Sequence, residues 1–555
     1  MRASHAGIFA DTPAATVTLP GTPRPYALSA TGGNDYGKLG DGTATRRTTP
    51  VAITTSVLTA SAGGSQSLFL RADGTLWGMG SSFFGELGTG GATYYQTPIQ
   101  VAANVLSFGA GESHSAFLKT DGTLWTMGVN SYGQLGNGTT TSGYTPVQIA
   151  SGVSSVSVGD YHTLFIKTDG SLWATGYNGT GQLGDGTTTN RSIPVQIATG
   201  VLSASAGGNH TTFIKIDGSL WAVGYNNSGQ LGDGTTTQRN TPVQITTGVL
   251  SVSAGGSHTL FLKPDASLWA MGSNGSGQLG DGTTTTRTTP VQITTSVLTC
   301  ATGSGHSHWV KTDGSLWATG RNTNGQLGDG SLVNRTTPAS IATGVANVSG
   351  GTYHTLIVRS AQLVAFDLGA HATRTGGGAL QQTVITGTAA SAPTLAVASG
   401  WVFTGWDVAF SAVTSDLTVT AQYQTAFAAW AAAKSLTGDA AAPAADPDAD
   451  GTPNLLEYAF GTSPAAADPA STQPSVSTAL VGEQANIMLT HRRSKAAVLT
   501  YAYQSSADLT TWDTFAATPV VVNADVDGDG LVELVAVSLP LGTDPRRFLR
   551  LSVTQ

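Results

Sequence analysis

A single cysteine, Cys300, serves a chain of 555 residues, so no disulfide can form within it. Cys300 sits in the apolar run Val297-Leu298-Thr299-Cys300, where a small packing role is expected. Charge is scarce too. Asp, Glu, Lys and Arg make up 10% of residues, against about 25% in ordinary soluble proteins. The net charge is −8. Without a dense positive field, neither nucleic acid nor an acidic membrane is expected as the main partner. No apolar run approaches the roughly 18–20 residues of a transmembrane helix. The opening twenty residues contain no compact apolar segment followed by a small-residue cleavage site, so they do not read as a secretory signal. The chain either stays inside the cell or begins inside a longer one. Catalytic signatures are missing as well: there is no Gly-x-Ser-x-Gly elbow, phosphate-binding loop or His-Glu-x-x-His helix.

What is abundant is glycine, 72 residues, in a repeated frame. The hexamer Gly-Gln-Leu-Gly-Asp-Gly begins at Gly181, Gly229, Gly277 and Gly325, with close variants at Gly37, Gly85 and Gly133, and every step is 48 residues. Other columns keep the same step: Trp77 to Trp317, Pro50 to Pro338, and His114 to His354 with Gln66 in the remaining place. A fixed period of this size indicates a solenoid or a propeller. One repeat reads as four strands: 201–206, 211–216, 219–223 and 241–245, with Asp217-Gly218 as a hairpin between the second and third. No repeat contains a helical stretch. Seven four-stranded units fit a propeller, whose edges are short and protected. The first repeat begins late, at Tyr26, and its missing half appears at 345–358, so the last segment is expected to complete the first blade and close the ring.

The pattern Gly-Gly-x-His-Thr, Asp-Gly-x-Leu-Trp, Gly-x-x-x-x-Gly-Gln-Leu-Gly-x-Gly resembles the regulator of chromosome condensation repeat family. It matches all seven units across residues 26–360. The resemblance implies a seven-bladed propeller. Relatives named by it include a secreted bacterial inhibitor that clamps β-lactamase with its propeller face, and a eukaryotic founder that exchanges guanine nucleotides by means of a wedge between blade strands. Here every blade keeps its length, and no wedge is visible.

The columns divide into frame and decoration. The histidines are expected to open inner strands and to hydrogen-bond neighbouring backbone rather than to hold a metal. The tryptophans are expected as blade core. Asp41, Asp185, Asp233, Asp281 and Asp329 are expected to cap their own turns, with Thr89 and Asn137 as substitutes. Recognition is sought where columns vary. Tyr36, Phe84 and Tyr132 precede the first three hexamers, where later repeats carry Thr180, Ser228, Ser276 and Asn324. Adjacent blades would set these three side by side on one rim, with Phe83, Tyr94, Tyr95 and Tyr144 in the same loops. Such a cluster suits a protein or carbohydrate ligand.

After the propeller, residues 361–425 read as a small β module. Its Gly-Trp-x-Phe-x-Gly-Trp segment (400–406) and 417–423 ending resemble the internalin-type repeats of bacterial surface proteins, with Trp401 and Trp406 as core. Residues 426–465 read as a short helix around Trp430 and then a calcium loop. Asp446, Asp448, Asp450, Thr452, Asn454 and Glu457 satisfy the pattern Asp-x-Asp-x-Asp-Gly-x5-Glu, in which Gly451 allows the sharp turn and hard oxygens suit Ca2+. Pro443 and Pro447 disfavour an incoming helix. The segment through Pro464 resembles bacterial thrombospondin type 3-like repeats. A second acidic run, Asp525, Asp527 and Asp529, is either another calcium site or a β-hairpin turn. Residues 466–555 read as a β-sandwich. The expected whole is all-β: a seven-bladed propeller, a small β module, a calcium-loop linker and a C-terminal sandwich. Its expected role is non-catalytic binding or adhesion, monomeric, on a bacterial surface or secreted. The alternatives are a polysaccharide-active hydrolase or lyase and an intracellular exchange-like or scaffold factor.

Overall fold

The computed structural model describes residues 26–469, 472–481, 484–495, 499–507, 509–524, 532–540 and 548–554. The fifth repeat shows how each blade is made. Its strands Val201–Ala206, His210–Lys215, Leu220–Gly224 and Arg239–Thr246 pair antiparallel in sequence order. Five further four-stranded sheets repeat this order, from Val57–Ala62 through Arg335–Ala342. The remaining blade is composite. Tyr26–Gly32 pairs with Arg47–Thr55 on one side and, over the register Tyr26↔Ser360 to Gly32↔His354, with the strand His354–Asp367 on the other. Val345–Gly350 completes it. The ring is closed, as the late start of the first repeat implies.

The first strands of successive blades pack on one another around the axis, so the histidines open the second strand out, not the innermost. Within a blade, Phe213 and Trp221 stack at 6.4 Å and 7°, and Lys215 Nζ lies 4.3 Å from the indole centroid. Trp221 Nε1 donates to Ser219 Oγ (2.9 Å), which donates to Asp217 Oδ1 (2.5 Å). The tryptophans are therefore half-buried and cap the blade core rather than lie inside it. Between blades, Leu164, Leu172 and Leu183 of the fourth pack with Val201, Ala204 and Phe213 of the fifth, so each core fills the space between two sheets.

The hexamer joins neighbours. Its last glycine donates its N–H to the outer strand of the next blade: Gly186 to Asn240 O, Gly234 to Thr288 O, and, closing the circle, Gly330 to Thr48 O, each at 2.9 Å. Its first glycine makes that approach possible. A Cβ on Gly229 (φ +70°) would lie 2.6 Å from Thr288 Cα.

The histidines form a second set of ties. His114 Nε2 lies 2.9 Å from Thr163 Oγ1, His210 Nε2 2.9 Å from Thr259 Oγ1, and His354 Nε2 2.7 Å from Ser67 Oγ, always one blade on. Those hydroxyls donate their single proton to hexamer carbonyls: Thr163 to Gln134 O at 2.8 Å, Thr259 to Gln230 O at 2.9 Å, and Ser67 to Lys38 O at 2.7 Å. The hydroxyl must then accept from the ring, which assigns the proton to Nε2. The partner is thus a side chain of the next blade, where backbone was expected. Only an oxygen that has already donated to the hexamer carbonyl is in reach. Gln66 takes the histidine's place by donating to Gly111 O at 3.0 Å, and the hydroxyl of Ser115 is left without a partner.

The second unit is built from residues 364–382, 389–412 and 417–555. In it Ala372–Gly377 pairs with Pro393–Val397, and Trp401–Trp406 pairs with Leu417–Thr425. Trp401 and Trp406 are half-buried: Trp401 stacks on His371 at 3.5 Å, and Trp406 packs edge-on against Phe366. Helix α1 (Ala426–Ala433) follows, and helix α2 (Asn454–Phe460) comes after the acidic loop. A four-stranded and a three-stranded sheet then share a core of Leu489, Tyr503 and Val537. They make the expected sandwich. Val520–Asn523 and Val532–Pro540 pair on either side of the second acidic run.

Two measurements check this frame. Burial holds the histidines unprotonated, lowering His114, His162 and His210 to about 3 and His258 to about 4. In the unfolded chain they titrate near about 6.5. Below that pH the unfolded state binds protons that the native state refuses, so stability should be flat above pH 7 and fall between about pH 6.5 and 4. His210→Gln, copying Gln66, should lower the slope of unfolding free energy against pH in this window by about one proton; an unchanged slope would refute the assignment. Separately, Gly229→Ala should cost at least about 2 kcal/mol more in denaturant unfolding than Gly200→Ala. Gly200 has a similar φ of +64° but nothing within 4 Å of a Cβ, so it carries only the left-handed penalty of about 1–2 kcal/mol.

Candidate functional site

The Gly-x-x-His turns and the long hexamer loops emerge on the same side of every blade, because strands one and three both end there. Six of the seven hexamer loops are tied internally by a buried asparagine; in the second blade Ser82 stands in its place, accepting from Leu87 N at 3.2 Å. Asn226 accepts from Leu231 N at 3.0 Å and donates to Asp233 Oδ1, Thr235 O and Thr237 O, each at 3.1 Å. Asp233 also accepts from Thr235 N at 3.0 Å, the turn-capping role expected of it. Its other oxygen holds Arg239 through Nη2 at 2.6 Å. Burial opposes its charge, but bonds from Thr235 and Arg239 outweigh that and hold the carboxyl below its ordinary value. The same ion pair stands at Asp41–Arg47, Asp185–Arg191, Asp281–Arg287 and Asp329–Arg335. It is missing from the second and third blades, where Thr89 and Asn137 stand in the aspartate column and Tyr95 and Gly143 in the arginine column. The arginine column was overlooked in the sequence although it keeps the 48-residue step.

The aromatic residues gather on this loop face, in two groups instead of one row. Tyr36 meets Phe83 edge-on at 5.5 Å and Tyr94 at 6.4 Å, and Phe83 meets Tyr94 at 6.1 Å. Tyr132 joins Tyr161 at 5.9 Å and Tyr177 at 4.9 Å, two residues of the fourth blade that sequence reasoning missed. Phe84 and Tyr144 stay solvent-exposed, at 52% and 41%. Tyr95 is half-buried: it packs against the core around Leu87 and Met127, its backbone opposite Gly80. No single row forms: Tyr36 contacts blade two and Tyr132 contacts blade four, while Phe84 on the loop between them stays exposed.

Around the mouth of the central channel the turns hydrogen-bond in sequence, for example Gly208 N to Gly255 O at 3.1 Å and Thr352 N to Gly63 O at 3.1 Å. The second turn position is glycine in the second, fifth and sixth blades, but Glu112 and Asp160 in the third and fourth. Burial, followed by repulsion from Glu112, raises Asp160 to about 7. Thr352 Oγ1 donates to Glu112 Oε2. Nearby in the first blade, Lys38 is buried, with Nζ 3.8 Å from Asp35 Oδ2, and burial lowers its pKa. Comparing turn columns in the sequence could have found the acidic pair.

In the second unit the calcium-type loop brings Asp446, Asp448 and Asp450 together, one carboxylate oxygen from each lying within 4.8 Å of the others. Two features were not foreseen. Asp468 joins the loop, its N–H donating to Asp450 Oδ2 at 2.7 Å. The Thr452 hydroxyl instead accepts from Gln473 Nε2 at 2.9 Å, and Asn454 Nδ2 donates to Ala440 O and Ala442 O while its buried Oδ1 has no partner. Glu457 is fully buried, and neither of its oxygens has a hydrogen-bond partner. Burial first, then the charges of Asp448, Asp468, Asp450 and Asp446, raise it to about 8. Asp525, Asp527 and Asp529 lie outside the described residues.

Comparison with known proteins agrees with this architecture. The family described as RCC1-like domain matches residues 27–306, and the regulator of chromosome condensation (RCC1) repeat matches residues 313–358. No curated protein matches in sequence. Among solved structures, human WBSCR16 is similar at 23% identity and TM-score 0.55, covering 60% of this chain and 99% of its own. Prp20p of Saccharomyces cerevisiae, described with its binding to Gsp1p and histones, is similar at 18% identity and TM-score 0.55, covering 61% and 92%. The same yeast protein bound to Kap60 matches at 18% identity and TM-score 0.56, covering 65% and 94%. At these identities the structures speak for the fold, whereas the family match spans more than half the sequence: this chain belongs to the RCC1-like domain family.

Proposed function

We propose that the chain is a non-catalytic binding protein that takes a protein partner on the loop face of blades one to four. The observation that carries this reading is the pair of solvent-facing aromatic trios, Tyr36/Phe83/Tyr94 and Tyr132/Tyr161/Tyr177. Aromatic side chains bring large contact area with little entropy loss, and they dominate recognition surfaces. The acidic pair Glu112 and Asp160 is set among them at the channel mouth. Blades five to seven carry Ser228, Ser276 and Asn324 at the matching loop positions.

Two finer readings follow. In the first, the chain acts as an exchange-like or scaffold factor on an intracellular protein; membership of the family supports it, as does the described binding of Prp20p to Gsp1p and histones. In the second, it is a secreted or surface adhesin for a protein or a glycan; the surface-protein resemblance of residues 361–425 supports it. Acceleration of labelled-GDP release from a panel of small GTPases favours the first, and retention on a glycan array without product release favours the second.

Partner capture by the full chain tests the shared claim. Triple alanine variants of either aromatic trio should reduce recovery of specific partners at least about tenfold, as expected when about 3 kcal/mol or more of hot-spot contact is lost. A control variant, Ser228→Ala with Ser276→Ala and Asn324→Ala, should recover them like the parent. Equal recovery by all three proteins would remove the loop face from the function.

A further inference from the structure

We propose that Asp446, Asp448, Asp450, Glu457 and Asp468 bind one Ca2+, and that this ion fastens helix α2 to the C-terminal sheets. The inference does not depend on the propeller's role. It starts from the orphaned carboxylate of Glu457. A charged group with no water and no hydrogen bond is among the costliest things a fold can contain, and here four aspartates surround it. Five buried carboxylate oxygens lack partners: Asp446 Oδ1, Asp448 Oδ2, Asp468 Oδ2 and both oxygens of Glu457. The opposite oxygens are already aimed by backbone N–H groups. Gly451 N donates to Asp446 Oδ2 at 2.9 Å and Asp450 N to Asp448 Oδ1 at 3.3 Å. Asp450 has each oxygen engaged once, Oδ1 by Thr452 N at 2.8 Å and Oδ2 by Asp468 N at 2.7 Å, and would join through a remaining lone pair. The loop therefore fixes the carboxylates and leaves their free edges facing one another, a geometry that repels itself until a cation enters.

The donor set selects the ion. All five donors are hard oxygens, and no thiolate or imidazole joins them, which disfavours zinc and copper. A buried glutamate offering both oxygens suits the six to eight ligands and loose geometry of Ca2+ better than the small octahedron of Mg2+, which keeps several waters.

Glu457 lies on α2, whose Tyr458, Ala459 and Phe460 are buried. Tyr501 Oη donates to Ala459 O at 3.1 Å, and Phe460 packs on His491 at 6.1 Å. Asp468 sits past the end of the helix. An ion held by the loop, the helix and the segment after it draws all three together and sets α2 against the sheets.

Calcium titration calorimetry and thermal melting of the full chain, after chelation, test the proposal. Calcium should raise the melting temperature of the parent. Glu457→Gln should bind one Ca2+ fewer per chain, a difference in which ions held elsewhere cancel. Because the amide matches the carboxyl in size and never ionises, this variant should melt no lower than the parent in chelator, and it should lose the calcium-induced gain attributable to this site. Asp468→Asn should weaken the site roughly tenfold or more, since affinity follows ligand charge. Thr452→Val, whose hydroxyl serves Gln473, should bind as the parent does. A parent that melts identically with calcium and with chelator, or a Glu457→Gln variant that binds as many ions as the parent, would overturn the site. Undiminished affinity in Asp468→Asn would overturn the five-carboxylate assignment.

Discussion

A single relay recurs from blade to blade: an imidazole Nε2–H donates to a hydroxyl one blade on, and that hydroxyl donates to a hexamer carbonyl of the blade left behind. The exchange works only if the ring is neutral, dry and oriented, and only if the two blades stand at one distance and angle. It converts a stack of greasy sheets, which could slide, into a wheel with one admissible spacing. The glycine that opens each hexamer is the steric counterpart. By having no Cβ it lets the loop touch the next outer strand, so that the closing backbone bond from the last glycine can form. Apolar burial drives the sheets together. The polar relay and the bare glycine fix how each blade meets the next.

Much of this was legible because repetition is its own control. The invariant step of 48 residues located the blades, and the late start at Tyr26 located the closure. The capping role of Asp233 could be read from its place in the turn. Its arginine could not, since a residue six positions away has no reason to return until the loop is folded. The histidine's true partner is 49 residues distant, farther than any local rule sees. The aromatic face was half legible. Composition showed that the first loops differ, yet which rings touch depends on how the folded loops meet. Tyr36 and Tyr132 end in separate groups, Tyr95 is half-buried, and Tyr161 and Tyr177 join Tyr132 from the fourth blade. In the acidic loop the spacing of Asp446, Asp448 and Asp450 was informative, whereas Asp468 enters through a turn that no spacing pattern contains.

The two blades that lack the Asp–Arg pair carry some of the departures at the loop face, Phe83, Phe84, Glu112 and Tyr132 among them, while Tyr36, Asp160, Tyr161 and Tyr177 stand in blades that keep it. Thr89, Tyr95, Asn137 and Gly143 stand where the frame elsewhere has an ion pair. In the third blade Asn130 still bonds Asn137 at 3.1 Å, so the asparagine tie survives without the charge. In the second blade Ser82 replaces the asparagine as well, and its loop keeps the glycine contact and the backbone bond from Gly90 N to Tyr144 O at 2.9 Å. Structural redundancy permits this: a loop with several fastenings tolerates the loss of some of them, and those positions become free to vary.

Pairing Tyr26 with Ser360 has a temporal side. A ribosome emitting roughly 5–20 residues per second spends tens of seconds between the two halves of that sheet. Throughout that interval the nascent chain displays an unsatisfied strand edge, and loop-closure entropy makes its final mate the slowest contact to find. The seam that closes the wheel is therefore also its latest, and the waiting edge stays open to wrong partners for as long as translation lasts.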